Sequence, residues 1–193
     1  MHTQSASRQR LAQFLFVLFA LCAATVQAQV LSQNMMYTSV QPCRVFDTRS
    51  ATAGKLIASA SRTFNITGGN VTSTTFTGQG GTNGGCSIHG FYQRPFIGFK
   101  EPQVQAVVIN LTVVNPAGAG FLSAWPSDHS YPGTAEINYT TGVTLGNRAV
   151  IPVRQDVQGG DITLLAGVSN TDVVGDVVGY CSVDSPTTST GGP

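Results

Sequence analysis

The stretch "NTDVVGDVVGYC" (Asn170–Cys181) sets two aspartates four residues apart in a run of valine and glycine. On a helix Asp172 and Asp176 would be neighbours; on a strand that rises about 3.3 Å per residue they would stand about 13 Å apart. The conformation therefore decides whether the pair can do chemistry. Val173, Val174, Val177 and Val178 are β-branched, and Gly175 and Gly179 would each cost a helix interior about 1 kcal/mol. The stretch reads as a strand, with Asp172, Val174, Asp176, Val178 and Tyr180 on one face and Val173, Gly175, Val177 and Gly179 on the other. Carboxylates about 13 Å apart cannot work as a glycosidase pair, which needs about 5–9.5 Å, nor grip one small metal ion together. No metal or cofactor is expected.

Working back along the chain, the same pattern recurs. "QVQAVVINLTVV" (Gln103–Val114) is the longest apolar strand, with Val107, Ile109, Leu111 and Val113 on one face, and "NPAGAG" closes it with turn residues. "FLSAW" (Phe121–Trp125), "AEINYT" (Ala135–Thr140), "RAVIPV" (Arg148–Val153) and "DITLLA" (Asp161–Ala166) follow at regular intervals. Upstream, "MMYTSV" and "CRVFDT" read as two strands divided by Gln41–Pro42. "SRTFNIT" (Ser61–Thr67) and "VTSTTFT" (Val71–Thr77) read as a hairpin around Gly68-Gly69-Asn70. "GQGGTNGGCS" reads as a glycine-rich loop with no P-loop lysine, so phosphate binding has little support. Nine or ten short strands without helical periodicity predict an all-β fold, an antiparallel β-sandwich of Greek-key or jelly-roll type.

The first 28 residues read differently. Arg8 and Arg10 precede the apolar run "LAQFLFVLFALCAA" (Leu11–Ala24), too short to span a bilayer comfortably, and "VQA" (Val26–Ala28) offers a small-residue cleavage motif. We read residues 1–28 as a secretory signal peptide, 29–181 as one β-sandwich domain and 182–193 as a flexible tail. Removing 1–28 leaves 8 basic against 9 acidic residues, a net charge of −1. No basic surface is left for nucleic acid or anionic lipid, and no membrane association is expected after cleavage. Charged residues make up only 10% of the chain, and neutral polar residues and glycine take their place.

Export changes what the cysteines mean, because disulfides persist outside the cell. Cys43, Cys86 and Cys181 remain after cleavage. The preferred bridge is Cys43–Cys86, whose loop would contribute about 4 kcal/mol on the chain-entropy model. Cys181 is then either a free thiol or a handle for an intermolecular bond. A zinc site has little support, since there is no CxxC spacing and only His89 and His129 could help.

The motifs "PCRVFDTR" (Pro42–Arg49), "AVVINLTVVNPAGAGFLSAWP" (Ala106–Pro126), "AEINYTTGVTLGNRAVIPV" (Ala135–Val153) and "DVVGDVVGYC" (Asp172–Cys181) span most of the mature chain. In that order they resemble an exported bacterial β-sandwich family found in cell-surface and cell-wall-associated proteins. The resemblance implies a β-sandwich and a non-catalytic role at the cell surface. Two features depart from the family pattern: the insertion "SIHGFYQRPFIGFKEP" (Ser87–Pro102) and a last strand ending Gly-Tyr-Cys where the family has Gly-Tyr-Phe.

Asp47 and Arg49 could anchor a carboxylate or sugar, but a structural polar network with Arg148 or Asp176 is the expected role, because an isolated charge on such a strand would be costly. Asp128 beside His129 suggests a hydrolytic triad, yet no G-x-S-x-G elbow is present and catalysis is not expected. Asp156, Asp161 and Asp172 lack calcium-loop spacing. Phe91, Tyr92, Arg94 and Phe96, with Trp125 and Tyr131, could stack on sugar rings, form a protein contact, or fold back onto the sandwich. The expected function is a secreted, non-catalytic structural or adhesive cell-surface module that associates with itself or with other envelope proteins. The alternative is a carbohydrate-binding module reading glycan through the loop aromatics.

Overall fold

The computed structural model describes residues 34–67, 73–88, 103–155 and 159–183. The signal-peptide reading, the insertion residues Phe91, Tyr92, Arg94 and Phe96, His89, Asp156 and the tail from residue 184 lie outside the described residues. So do residues 68–72, which hold the glycine turn of the expected hairpin.

Among the described residues eight strands form two antiparallel four-stranded sheets, as the sequence predicts for a sandwich. They are β1 (Met35–Asp47), β2 (Ser61–Phe64), β3 (Gln103–Val114), β4 (Gly120–Pro126), β5 (Ile137–Tyr139), β6 (Leu145–Pro152), β7 (Ile162–Gly167) and β8 (Asp172–Val183). The first sheet runs β1-β8-β3-β6 and the second β2-β7-β4-β5. Val107, Ile109, Leu111 and Val113 of β3 are wholly buried, facing Leu122 and Ala124 of β4 and Ile162 and Leu164 of β7 in one core. Period-2 alternation of β-branched residues gives β3 its inward face, and Asn110 and Thr112 its outward one.

Several expectations change. The two N-terminal strands are one: β1 runs through Gln41–Pro42, and irregularities between Ser39 and Cys43 and between Arg44 and Phe46 absorb the extra residues. At the second of these, Val45 is extra, so Val45 and Phe46 both turn inward and are fully buried. β8 extends to Val183, so Ser182 and Val183 belong to the sheet and not to the tail, and both are buried. Val178 is a bulge opposite β3, where Val108 pairs with Gly179 and Ile109 with Val177. Beyond it the faces exchange: Tyr180 pairs with inward Val107 and packs on the core, while Gly179 joins the outer face.

The expected hairpin is also absent. β2 pairs with β7, and Ser73–Gly78 is a short helix, α1. Its stop signal is legible in the glycines: Gly80 has φ +79°, Gly81 N–H donates to Phe76 O at 2.7 Å, and Gly80 N–H donates to Thr77 O at 3.0 Å. That is a Schellman cap, and it requires a residue that tolerates the left-handed region. The cap lies against the edge of β1. Gln79 then staples the two sheets, its Nε2 donating to Val45 O at 2.8 Å and Asn65 O at 2.6 Å, while its Oε1 accepts from Asn65 N–H at 3.1 Å.

Phe46 lies across Gly175 and meets Phe64 of the other sheet with ring centroids 4.4 Å apart. A Cβ at position 175 would come within 2.3 Å of the Phe46 ring. The β7–β8 turn carries strain of a different kind: Val168 has φ +75° and is 73% exposed, a conformation that β-branched side chains resist.

Two stability changes follow, both measurable by chemical denaturation. Gly175→Ala displaces the Phe46 ring and destabilises the fold by about 1–3 kcal/mol. Val168→Gly relieves the turn and stabilises it by about 1 kcal/mol; a neutral or destabilising result would show that Val168 makes a contact worth its strain.

Candidate functional site

The outer face of the first sheet carries the polar cluster that the sequence singled out, with one change of membership. The Val45 bulge returns Arg44 and Asp47 to the same outward face. Arg44 grips Asp176 with both prongs, Nε to Oδ1 at 2.9 Å and Nη2 to Oδ2 at 3.1 Å, and its Nη1 reaches Asp47 Oδ2 at 3.2 Å. Arg49 holds Asp47 in the same forked manner, Nε to Oδ1 at 2.9 Å and Nη2 to Oδ2 at 2.6 Å, and its backbone N–H adds a bond to Oδ1 at 3.1 Å. Thr48 closes the end of the strand: its hydroxyl donates to Asp172 Oδ1 at 2.9 Å and accepts from Val173 N–H at 2.8 Å.

Arg148 does not join Asp47 or Asp176. It lies two strands away from Asp176, about 9–10 Å at ordinary strand spacing, and its Nε donates to Asn110 Oδ1 at 2.9 Å. Cross-strand register aligns the group: Arg44 opposes Asp176, Asp176 opposes Asn110, and Asn110 opposes Arg148. A single polar row therefore crosses all four strands. Arg44 was missed in the sequence because only the bulge places it beside Asp47, and a one-residue irregularity leaves no pattern in the residue types themselves.

These contacts set the charge states. The hydrogen bonds from Arg49 hold the Asp47 carboxyl below the ordinary carboxylate range, with Arg44 adding to the effect. The Asp176 hydrogen bond raises Arg44, and that of Asp47 raises Arg49. Both arginine forks are thus occupied by carboxylates of the chain's own framework.

Asp161 behaves in the opposite way. It is deeply buried, which pushes its carboxyl up, and it accepts from Ile66 N–H at 2.6 Å and Thr67 N–H at 2.7 Å. It fastens the chain after β2 to the start of β7, so it serves as a staple. Among the described residues no group of three or more His, Cys, Asp or Glu gathers where a metal ion could sit.

The loop after β4 holds the hydrolytic candidates. His129 Nδ1 lies 2.8 Å from Asp128 Oδ1. The other Asp128 oxygen accepts from Gln155 N–H at 3.1 Å, and the Ser127 hydroxyl donates to Gly160 O. No hydrogen bond joins His129 to a serine among the described residues. Trp125 is only 7% exposed; its Nε1 donates to His129 O at 3.0 Å and its ring packs on Tyr131 at 5.4 Å between centroids. Sequence reasoning offered Trp125 as a sugar-stacking platform, but both its face and its polar handle are used inside the fold. Tyr131 remains exposed.

Cys43 and Cys86 form the expected disulfide, and Cys181 is free and half-buried. A cleft of about 410 Å³ opens beside the bridge, between Val40, Pro42, Ser87 and Tyr180, and none of its lining residues is charged. Cys181 lies on the outer face, opposite Tyr37 and Ala106. The surroundings are apolar: Met35, Met36 and Tyr37 are 55%, 54% and 58% exposed, and Val150 is exposed further across the sheet. This corner is where the described surface departs most from a neutral polar coat.

The two carboxyls predict opposing pH effects. Asp47 has a lowered folded pKa, so its contribution is complete above the ordinary value of about 3.9 and is lost as pH falls through the folded pKa. Asp161 has a raised folded pKa, so its ionisation costs stability progressively as pH rises from that ordinary value to the folded one. Asp47→Asn should cost about 2–3 kcal/mol at neutral pH and flatten the acid limb of a stability–pH curve below about pH 4. Asp161→Asn should abolish the loss of stability on the rising side of that window. If both variants keep the parent curve shape, these charge assignments are wrong.

No family model, no curated protein and no solved structure matches the chain.

Proposed function

We propose that the chain is an exported, non-catalytic contact module of the cell surface, which works by associating with copies of itself or with other envelope proteins. The observation that carries this reading is the apolar corner of the first sheet, where Met35, Met36 and Tyr37 stand exposed beside the free Cys181. Isolated surface hydrophobes need no explanation, but three consecutive large ones on an ordered strand do. The Cys43–Cys86 bridge is compatible with life outside the cell. The resemblance to an exported bacterial β-sandwich family supports the same assignment. The polar groups that might do chemistry are engaged elsewhere: both arginine forks hold aspartates, and Asp161 holds backbone amides. Glycan recognition through loop aromatics has less support, since Trp125 is buried with its N–H satisfied.

Light scattering and sedimentation of the secreted protein should show association that grows with concentration, and the protein should be retained on a cell-envelope preparation. A protein that stays monomeric at every concentration and passes through the envelope fraction unretained would remove the reading.

A further inference from the structure

Resting on that reading, we infer that two copies of the chain associate by pairing the edge of β1, Met35–Val40, which no described backbone bond covers, antiparallel with itself, to make one continuous eight-stranded sheet.

An unpaired strand edge is a template for another chain, and folded proteins normally blunt it. The other edges here are blunted. β2 and β5 are only four and three residues long. β6 carries Arg148 and Pro152, a charge and a residue that cannot donate to a ladder. The second half of β1 is covered by the cap of α1, where Asp47 N–H donates to Gln79 O at 2.9 Å, Thr82 N–H donates to Arg44 O at 2.8 Å and Gln79 Nε2 donates to Val45 O at 2.8 Å. This protection stops at Pro42. From Met35 to Val40, β1 pairs with β8 on one side only, and no described backbone bond reaches its other side.

The occupant follows from charge. No residue from Asn34 to Cys43 is charged, so laying this segment against its own copy opposes no like charges, and the strand lacks the lysine that commonly forbids such pairing. Thr38 and Val40 are β-branched, and Met35, Met36 and Tyr37 supply apolar side chains to both faces of the joint. A two-fold axis near Tyr37 makes the contact isologous and closed, giving a dimer and not a fibre. The short edge makes the dimer weak and concentration-dependent.

The geometry separates this arrangement from a thiol-linked one. Cys181 lies on β8, one strand in from the edge. In the continuous sheet, β8 and its copy are three strand spacings apart, about 14 Å, whereas a disulfide needs Cα atoms within about 7 Å. The two Cys181 thiols therefore stay free in this dimer.

The test is amide hydrogen exchange on the full secreted chain at rising protein concentration, alongside light scattering. Amides within Met35–Val40 should slow about tenfold or more as the dimer forms, with the outer faces of β3 and β6 unchanged. The Met35→Lys/Met36→Lys variant should raise the dimer dissociation constant about tenfold or more, with its unfolding midpoint unchanged because both side chains are exposed. Cys181→Ser should leave the dimer constant as it was. Protection around Val108 and Val150, or loss of the dimer in Cys181→Ser, overturns edge pairing in favour of face-to-face stacking and leaves the contact-module reading standing. Protection of β1 that appears only on adding envelope extract, never with the protein alone, overturns the second copy as occupant. Neither self-association nor envelope retention overturns both.

Discussion

The ring of Phe46 occupies the space that a side chain at Gly175 would fill, and it can do so because one residue of β1, Val45, is surplus to the ladder. That surplus turns Val45 and Phe46 inward together and brings Phe46 into contact with Phe64, so the gap between the sheets is closed by two large rings at one point. The same step turns Arg44 and Asp47 outward on one face. Without it the residues would alternate, and Arg44 and Asp47, three apart, would stand on opposite faces. The core contact and the outer ion-pair network are thus two results of one extra residue, which is why the segment cannot be altered in one layer alone.

What was legible in the sequence was whatever depends on residue type and period. Alternating β-branched residues mark β3, turn residues separate β4 to β8, and the Cys43–Cys86 bridge is the pairing the sequence reading prefers among three cysteines. Helix α1 is not legible because Ser-Thr-Thr-Phe-Thr favours strands by composition; its helical state is fixed instead by the glycine cap at Gly80–Gly81 and by burial of Phe76. The bulges at Val45 and Val178 were invisible, since each is a relation between two strands and not a property of one. From them come the missed role of Arg44 and the exchanged faces of Gly179 and Tyr180. For Trp125 the sequence leaves stacking and folding back both open, and Tyr131 and the His129 carbonyl hold it in.

The distribution of charge follows from its scarcity. With charged residues at 10% of the chain, most of the acids and arginines resolved in the first sheet are consumed in holding strands in register. Arg44 and Asp176 tie β1 to β8, Arg148 and Asn110 tie β6 to β3, and Arg49 closes on Asp47 at the strand end. Such pairs contribute to register more than to net stability, because desolvation offsets much of their attraction. On the described outer face of the first sheet the charged groups are therefore engaged with one another or with Asn110, which leaves shape, apolar area and backbone hydrogen bonding to carry recognition there.

That constraint gives the edges of the sheets their importance. A neutral surface is poorly steered at long range and poorly protected against edge pairing, because the lysine and glutamate that would normally blunt a strand are absent. Here the protection comes from the segment that caps α1 instead: Gln79 and Thr82 hydrogen-bond to one half of β1. The half left unpaired among the described residues carries Met35, Met36 and Tyr37 exposed, and Tyr37 lies over Gly179, whose missing side chain leaves room for the ring. A strand held this firmly on one side, with no described backbone bond on the other, already has its ordering cost met within the monomer, and so has its copy, so the two edges meet preformed. The rigidity of the β1–β8 pair and the openness of its outer edge act together, the first making the second usable.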